Sequence, residues 1–410
     1  MFKRPAALLA LALAATAASA CTTKAHRAEP TSLEVSLPAK PAGPRLDADP
    51  KTYHRTVMSR PYHIAKKYRS MMGPSSLQKV ELFESEEPEL LWITGYQAVV
   101  MDKSGEQQVS QEFMCHSNLD AKPNEYWESF NSNASLSGRL FTLSQGQQRV
   151  KFPRGYGIPI MSTHRLDLAT QVLNLNLDDA NLNVRHKVTI DFVREKEVRG
   201  QMVPLYQAAV QGFKSLEGKS ANYGYSSAEG AAGESHSDEG HEGCSVGLPA
   251  VAGDQPDEDA FGQKFTGHWI VKPGREVNKS LVTEFLQLQF DTTIHYIAVH
   301  LHPFAESLEL IDRTTGQSVF KAKATQAEGK IGLKHIEHFE SVEGLRIYKD
   351  HEYELVSVYN NTTKEDQDSM AVMYLYVKDV NFNRPTDEVI AKLKEKAKTP
   401  EAEPPAKAKM

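Results

Sequence analysis

Three cysteines in 410 residues are too few to staple a fold through disulfides. After the N-terminal twenty residues, no apolar run reaches the ~18–20 residues that a membrane-spanning helix requires. Excess charge of one sign is also lacking: 47 basic against 53 acidic residues leave a net of −6, with no basic cluster, so no nucleic-acid partner is expected. Long amphipathic helical patterns are scarce. In their place stand short runs rich in Val, Ile, Leu, Tyr and Phe, broken by Gly, Pro, Asn or Asp turns. Examples are 77–83, 90–100, 187–192, 284–290, 353–359 and 370–377. This pattern predicts an all-β chain.

The N-terminus carries its own signal. A short basic region (Phe2-Lys3-Arg4), an apolar run over 6–18 and the small residues Ala18-Ser19-Ala20 precede Cys21. The segment resembles a lipobox, although Ala18 replaces the more usual leucine. Residues 1–20 are thus expected to be a lipoprotein signal peptide, with lipidation at Cys21 and the mature chain held to the membrane of the cell envelope, at the outer membrane or facing the periplasm. The alternative is a plain signal peptide cleaved nearby.

Composition divides the remainder. Residues 21–59 read as a tether, 60–215 as an N-terminal β-sandwich, 216–260 as a flexible linker rich in Gly, Ser, Ala and Glu, and 261–382 as a C-terminal β-sandwich. Residues 383–410 read as a short helix over 387–398 and a tail that cannot pack a core. The expected architecture is two tandem jelly-roll β-sandwich domains joined by the linker.

The stretch IHYIAVHLH at 294–302 has a strand rhythm with three histidines in it. Side chains alternate along a strand, so His300 and His302 share a face, their α-carbons roughly 6.6 Å apart at ~3.3 Å per residue. His295 falls on the other face and reads as support. Further on, an acidic turn in DQDSMAVMYLY (366–376) runs into a strand headed by Met370, with Met373 on the opposite face. Two imidazoles with one thioether form a set suited to copper, since thioether favours Cu(I) and imidazole accepts both redox states.

With these residues in view, 268–380 resembles the C-terminal domain of the copper type II, ascorbate-dependent monooxygenases, the family of peptidylglycine α-hydroxylating and dopamine β-monooxygenases. The landmarks run in order: IVKPGREV (270–277), IHYIAVHLH (294–302), YKDHEYELVSVYNNTT (348–363) and DQDSMAVMYLY (366–376). The resemblance implies that His300, His302 and Met370 hold the copper at which oxygen is activated. It also implies a second copper in the N-terminal domain, held by a His-His pair and a distant histidine. Here QEFMCHSNLD (111–120) offers Cys115-His116 instead, and FPRGYGIPI (152–160) is followed by no histidine at the expected distance, the nearest being His164. Three readings stay open: a Cys115/His116 site completed by His164, a Cys115–Cys244 disulfide with His116 structural, or an empty site and a single copper.

ESHSDEGHEGC at 234–244 adds His236, His241 and Cys244 among carboxylates, read as a solvated loop or a metal-capturing one. His54, His63, His186 and His268 have no spacing that singles them out. The expected function is therefore hydroxylation of a C–H bond on an unidentified small molecule or peptide, with O₂, one or two copper ions and an ascorbate-like reductant. The alternative is a non-catalytic copper-binding surface lipoprotein.

Overall fold

The computed structural model describes residues 43–68, 70–130, 138–215, 257–258 and 264–398. Cys21, the signal segment, the 234–244 loop and the Cys115–Cys244 pairing fall wholly or partly outside them. The principal strands are β1 (Tyr53–Met58), β2 (Ser75–Val80), β3 (Leu90–Asp102), β4 (Met114–Asp120), β5 (Arg139–Ser144), β6 (Tyr156–Met161), β7 (Leu166–Val172), β8 (Leu182–Arg194) and β9 (Val203–Gln211). They continue with β10 (Trp269–Val271), β11 (Gly274–Leu281), β12 (Thr292–Leu301), β13 (Ala305–Asp312), β14 (Gln317–Gln326), β15 (Leu333–Ile336), β16 (Phe339–Ile347), β17 (Tyr353–Asn361), β18 (Gln367–Ser369) and β19 (Ala371–Lys378). Three helices accompany them: α1 (Pro123–Phe130), α2 (Thr283–Leu286) and α3 (Asp387–Lys398). The chain is mostly β, as the strand rhythm predicts.

One long sheet runs through both halves of the sequence in the order β1-β8-β3-β6-β9-β19-β12-β16. The crossing from the first half to the second is the β9–β19 ladder, antiparallel from Leu205↔Lys378 to Gln211↔Val372. β2-β7-β4-β5 and β11-β17-β13-β14-β15 form two smaller sheets. The expected boundaries do not coincide with breaks between sheets. β1 lies before residue 60 yet pairs with β8, and β9 of the first half is bonded to β19 of the second.

Two hydrophobic cores result. Trp92, Tyr96, Phe141 and Leu168 belong to one, and Leu308, Leu310, Leu355 and Tyr359 to the other. The centre of the long sheet faces both. Along β19, Val372, Tyr374 and Tyr376 enter the first core while Ala371, Met373, Leu375 and Val377 enter the second. β12 does the same with Tyr296 and Ala298 against Ile297, Val299 and Leu301. Every residue of β12 is buried, which is why this strand reads as a nearly continuous apolar run. Histidines set into such a strand are themselves buried.

One expected strand is absent. The residue pattern predicts an extended strand over 284–290, but Thr283–Leu286 forms a helical turn ended by Gln287 in the left-handed region, with φ 44°. Only Leu286 of this turn is fully buried, so there is no paired ladder to enforce the β preference. The predicted helix over 387–398 is observed as α3.

Candidate metal centre

The site is built where the end of β12 meets the start of β19. Cross-strand pairs run Val299↔Met373, His300↔Val372 and Leu301↔Ala371, so alternation puts His300, His302, Val372 and Met370 on one face, toward the first core. Met370, just ahead of β19, is fully buried and packs in that core. Tyr359 of β17 locks the arrangement beyond the last ladder bond. Its hydroxyl accepts from the His302 backbone N–H at 3.3 Å and donates to the Met370 carbonyl.

His300 is 4 % exposed, and neither of its ring nitrogens has a hydrogen-bond partner. Burial, then the neighbouring His302, His116 and His268, with Arg139, hold its imidazole well below the ordinary range. The His302 ring lies 5.3 Å from that of His300, centre to centre, and 5.8 Å from that of His268. On one side, His302 Nδ1 is 3.4 Å from the Asp368 carboxylate. On the other, its Nε2 is 3.3 Å from the Ser70 hydroxyl. Burial alone would raise the Asp368 carboxyl, but the hydrogen bond and charge of His302, with His268 and Ser70, hold it below its usual value.

The first half of the chain contributes through a bulge. β7 pairs Gln171 with His116 and Val172 with Met114, which leaves Cys115 as the extra residue of β4. Bulges re-aim side chains, and here adjacent residues both approach the second half of the chain. His116 comes near enough to His300 to depress its protonation, and Cys115 shares the Ser70 hydroxyl with His302. Burial pushes the Cys115 thiol up to about 11, so it is an S–H at neutral pH, not a ready thiolate. Among the described residues it is the free cysteine.

The other sequence candidates lie apart. His164 Nε2 is 2.9 Å from the Ser129 hydroxyl and its ring is edge-on to Phe130, so it belongs to the α1 environment and does not join Cys115 and His116. His295 is the extra residue of a bulge in β12, where Ile294 and Tyr296 pair with consecutive residues Val377 and Tyr376. The bulge places its ring on Tyr156, 4.2 Å between centres, with Nδ1 3.0 Å from the Ser341 carbonyl and Nε2 2.7 Å from the Thr293 hydroxyl. Both nitrogens are satisfied and its role is packing. Sequence reasoning missed His268, Asp368 and Ser70. Asp368 sat within the acidic run before Met370 but had no partner in sequence; His268 and Ser70 carried no signal.

As the side chains stand, no group of three or more His, Cys, Asp or Glu among the described residues is disposed to hold a metal ion. A His-His-thioether set lies outside that condition. Imidazoles sharing one ion at ~2.0–2.1 Å per nitrogen have ring centres roughly 5 Å apart. The observed 5.3 and 5.8 Å separations exceed this only slightly, within reach of small ring rotations. Ring spacing thus leaves room for an ion between His300 and His302. A small, partly open pocket lies elsewhere, beside α1, lined by Tyr126, Leu140, Ile158, Tyr206 and Gln207 among others, and includes none of these histidines. No helix among the described residues is long and apolar enough to cross a membrane.

No protein-family model matches the chain, and no curated protein matches it. Among solved structures, it is similar to VP54 of the virus PBCV-1 fitted into a reconstruction of the virophage Sputnik, at 8% identity and a TM-score of 0.28 over 82% of this chain and 96% of the other. A quasi-atomic model of the PBCV-1 capsid gives 7% and 0.24 over 81% and 94%. A putative membrane-anchored protein from Corynebacterium diphtheriae gives 8% and 0.17 over 82% and 94%. Such scores fall below the level at which a shared fold can be asserted.

Proposed function

We propose that this chain is a copper-binding protein of the cell envelope, with His300, His302 and Met370 as the ligands that hold the ion. The observation that carries this reading is His300. A buried polar group without a partner costs about 1–3 kcal/mol, so folding stability does not account for this imidazole. His186 is also buried with both nitrogens unpartnered, but its ring stands beside that of Tyr62 and burial alone depresses it. His300 differs in having three other histidines around it. Copper suits the set because the thioether of Met370 is a soft donor that zinc seldom selects.

On this reading the ion is stored or sensed in a closed centre. Asp368 orients His302 through Nδ1, Tyr359 fixes the backbone of His302 and Met370, and the surrounding apolar strands exclude water. The same reading takes the two cores as jelly-roll sandwiches sharing a sheet, and Cys21 as the lipid anchor. Hydroxylation of a C–H bond with O₂ and an external reductant is the second reading, favoured by the His-His-Met set itself. The burial of all three ligands favours binding over turnover, since a substrate has to reach the ion.

The purified full chain, titrated with Cu(I) against a chromophoric chelator, should take up one equivalent. Met370→Leu, which keeps the volume and removes the thioether, should lower the affinity for Cu(I) at least tenfold. No stoichiometric uptake, or uptake unchanged in both Met370→Leu and His300→Leu, would overturn the reading. Oxygen consumption with ascorbate faster than that of an equal concentration of free copper would favour the second reading instead.

A further inference from the structure

We propose that the pocket beside α1 is a carbohydrate-binding subsite, which takes one hydroxyl of a neutral sugar between Gln207 and Tyr126. It lies apart from the histidines and stands independently of the copper-binding reading. Its walls include Ala121, Pro123, Leu140 and Ile158, and Gln207 and Tyr126 add polar groups to them. A mostly apolar recess with a few placed polar groups is the usual form of a small-ligand site.

The first support is unused polar capacity. Gln207 is 1 % exposed and Tyr126 2 %. Yet neither polar atom of the Gln207 amide, nor the Tyr126 hydroxyl, has a hydrogen-bond partner among the described residues. Alternation fixes where the Gln207 side chain goes. Leu205 and Ala209, two residues to either side on β9, enter the first core, as do the pocket's Tyr126, Leu140 and Ile158. Gln207 therefore extends from the face of β9 that holds the pocket, an amide among apolar side chains. Buried polar groups are ordinarily paired, so a donor, an acceptor and a hydroxyl in one lining point to a ligand.

Size and charge select that ligand. The pocket has about 10 Å³ of room, the space of about one water-sized group. A hydroxyl fits that space, whereas a carboxylate or a carboxamide brings further heavy atoms with it. A hydroxyl also both donates and accepts, so a single one can donate to Gln207 Oε1 and accept from Gln207 Nε2 or the Tyr126 hydroxyl. Burial, followed by the charge of Asp379, raises the phenols of Tyr126 and Tyr206 above their ordinary range. A carboxylate that close disfavours an anionic ligand. Trp127 supplies the remaining element, at 57 % exposed. It follows the pocket's Pro123 by four residues on α1, which puts it one turn along the same helix face. A pyranose ring offers C–H groups to such an indole while a hydroxyl at its edge enters the pocket.

The test titrates the full chain with methyl glucoside, methyl galactoside and N-acetylglucosamine, read by saturation-transfer NMR. At least one of these sugars should bind at millimolar concentration. Gln207→Leu, which keeps the bulk and removes the amide, should weaken that binding at least fivefold. Trp127→Ala, at an exposed position that leaves the core untouched, should do the same. Copper uptake should be unchanged in both variants, which separates this subsite from the metal centre. No binding of any of the three sugars, or affinity unchanged in either variant, would overturn the proposal. So would a structure grown with the sugar in which an ordered water alone lies between Gln207 and Tyr126.

Discussion

His300 makes a prediction opposite in sign for folding and for binding. His300→Leu removes two unpartnered nitrogens from an apolar strand, so the metal-free chain should gain about 1–3 kcal/mol in urea unfolding while copper uptake is lost. A drop in stability without copper would mean that the imidazole is held by partners, and the site reading would weaken. Three other histidines report on acid. Burial lowers His164, His186 and His295 to about 4 from the ordinary 6.5. Above 6.5 both folded and unfolded states are neutral there and stability is full. As pH falls from 6.5 toward 4, only the unfolded chain takes up protons, and each histidine removes up to about 1.4 kcal/mol per pH unit. Urea midpoints at pH 7, 5.5 and 4.5 should fall accordingly, and His186→Leu should remove one histidine's share of the slope. Tyr359→Phe deletes the hydroxyl between His302 and Met370 and should cost about 1–3 kcal/mol, with weaker copper binding in the same variant.

At the scale of elements, alternation was readable and bulges were not. The HxH pair sharing a face and Met370 lying opposite to Met373 both follow from a two-residue period, and both are observed in the assignment of neighbours to different cores. The bulge at His295 interrupts that period. It puts the ring on Tyr156, where strict alternation had sent it to the opposite face. The bulge also depends on β16, where Gly344 has φ 76° and an added Cβ would lie 2.8 Å from both His295 Cε1 and the Ile294 carbonyl oxygen. Gly344→Ala should therefore destabilise by about 1–3 kcal/mol and disturb the stacking of His295, visible as a shift of its imidazole resonances. The second bulge, at Cys115, turns a departure from the expected His-His pair into a contact with the His302 environment.

For the whole molecule, the shared sheet governs behaviour more than the two cores do. The seven-pair ladder between β9 and β19 and the hydrogen bond that the Val299 N–H donates to Gln147 Oε1, at 2.8 Å, tie the halves together. Tyr376 reaches across to the Leu140 carbonyl at 3.0 Å. Denaturation followed by the fluorescence of Trp92, in the first core, and Trp269, in the second, should give coincident transitions; two separated transitions would show that the halves unfold independently. The sequence by itself determined the β character, the C-terminal helix, the face shared by His300 and His302, and Met370 as a candidate partner, because each depends on local period or composition. It could not reveal that Ser70, Cys115, His116, His268 and Asp368 gather around that face. Their proximity depends on which strands pair, β10 with β18 among them, and on the two bulges, and those are settled only when distant segments bury one another.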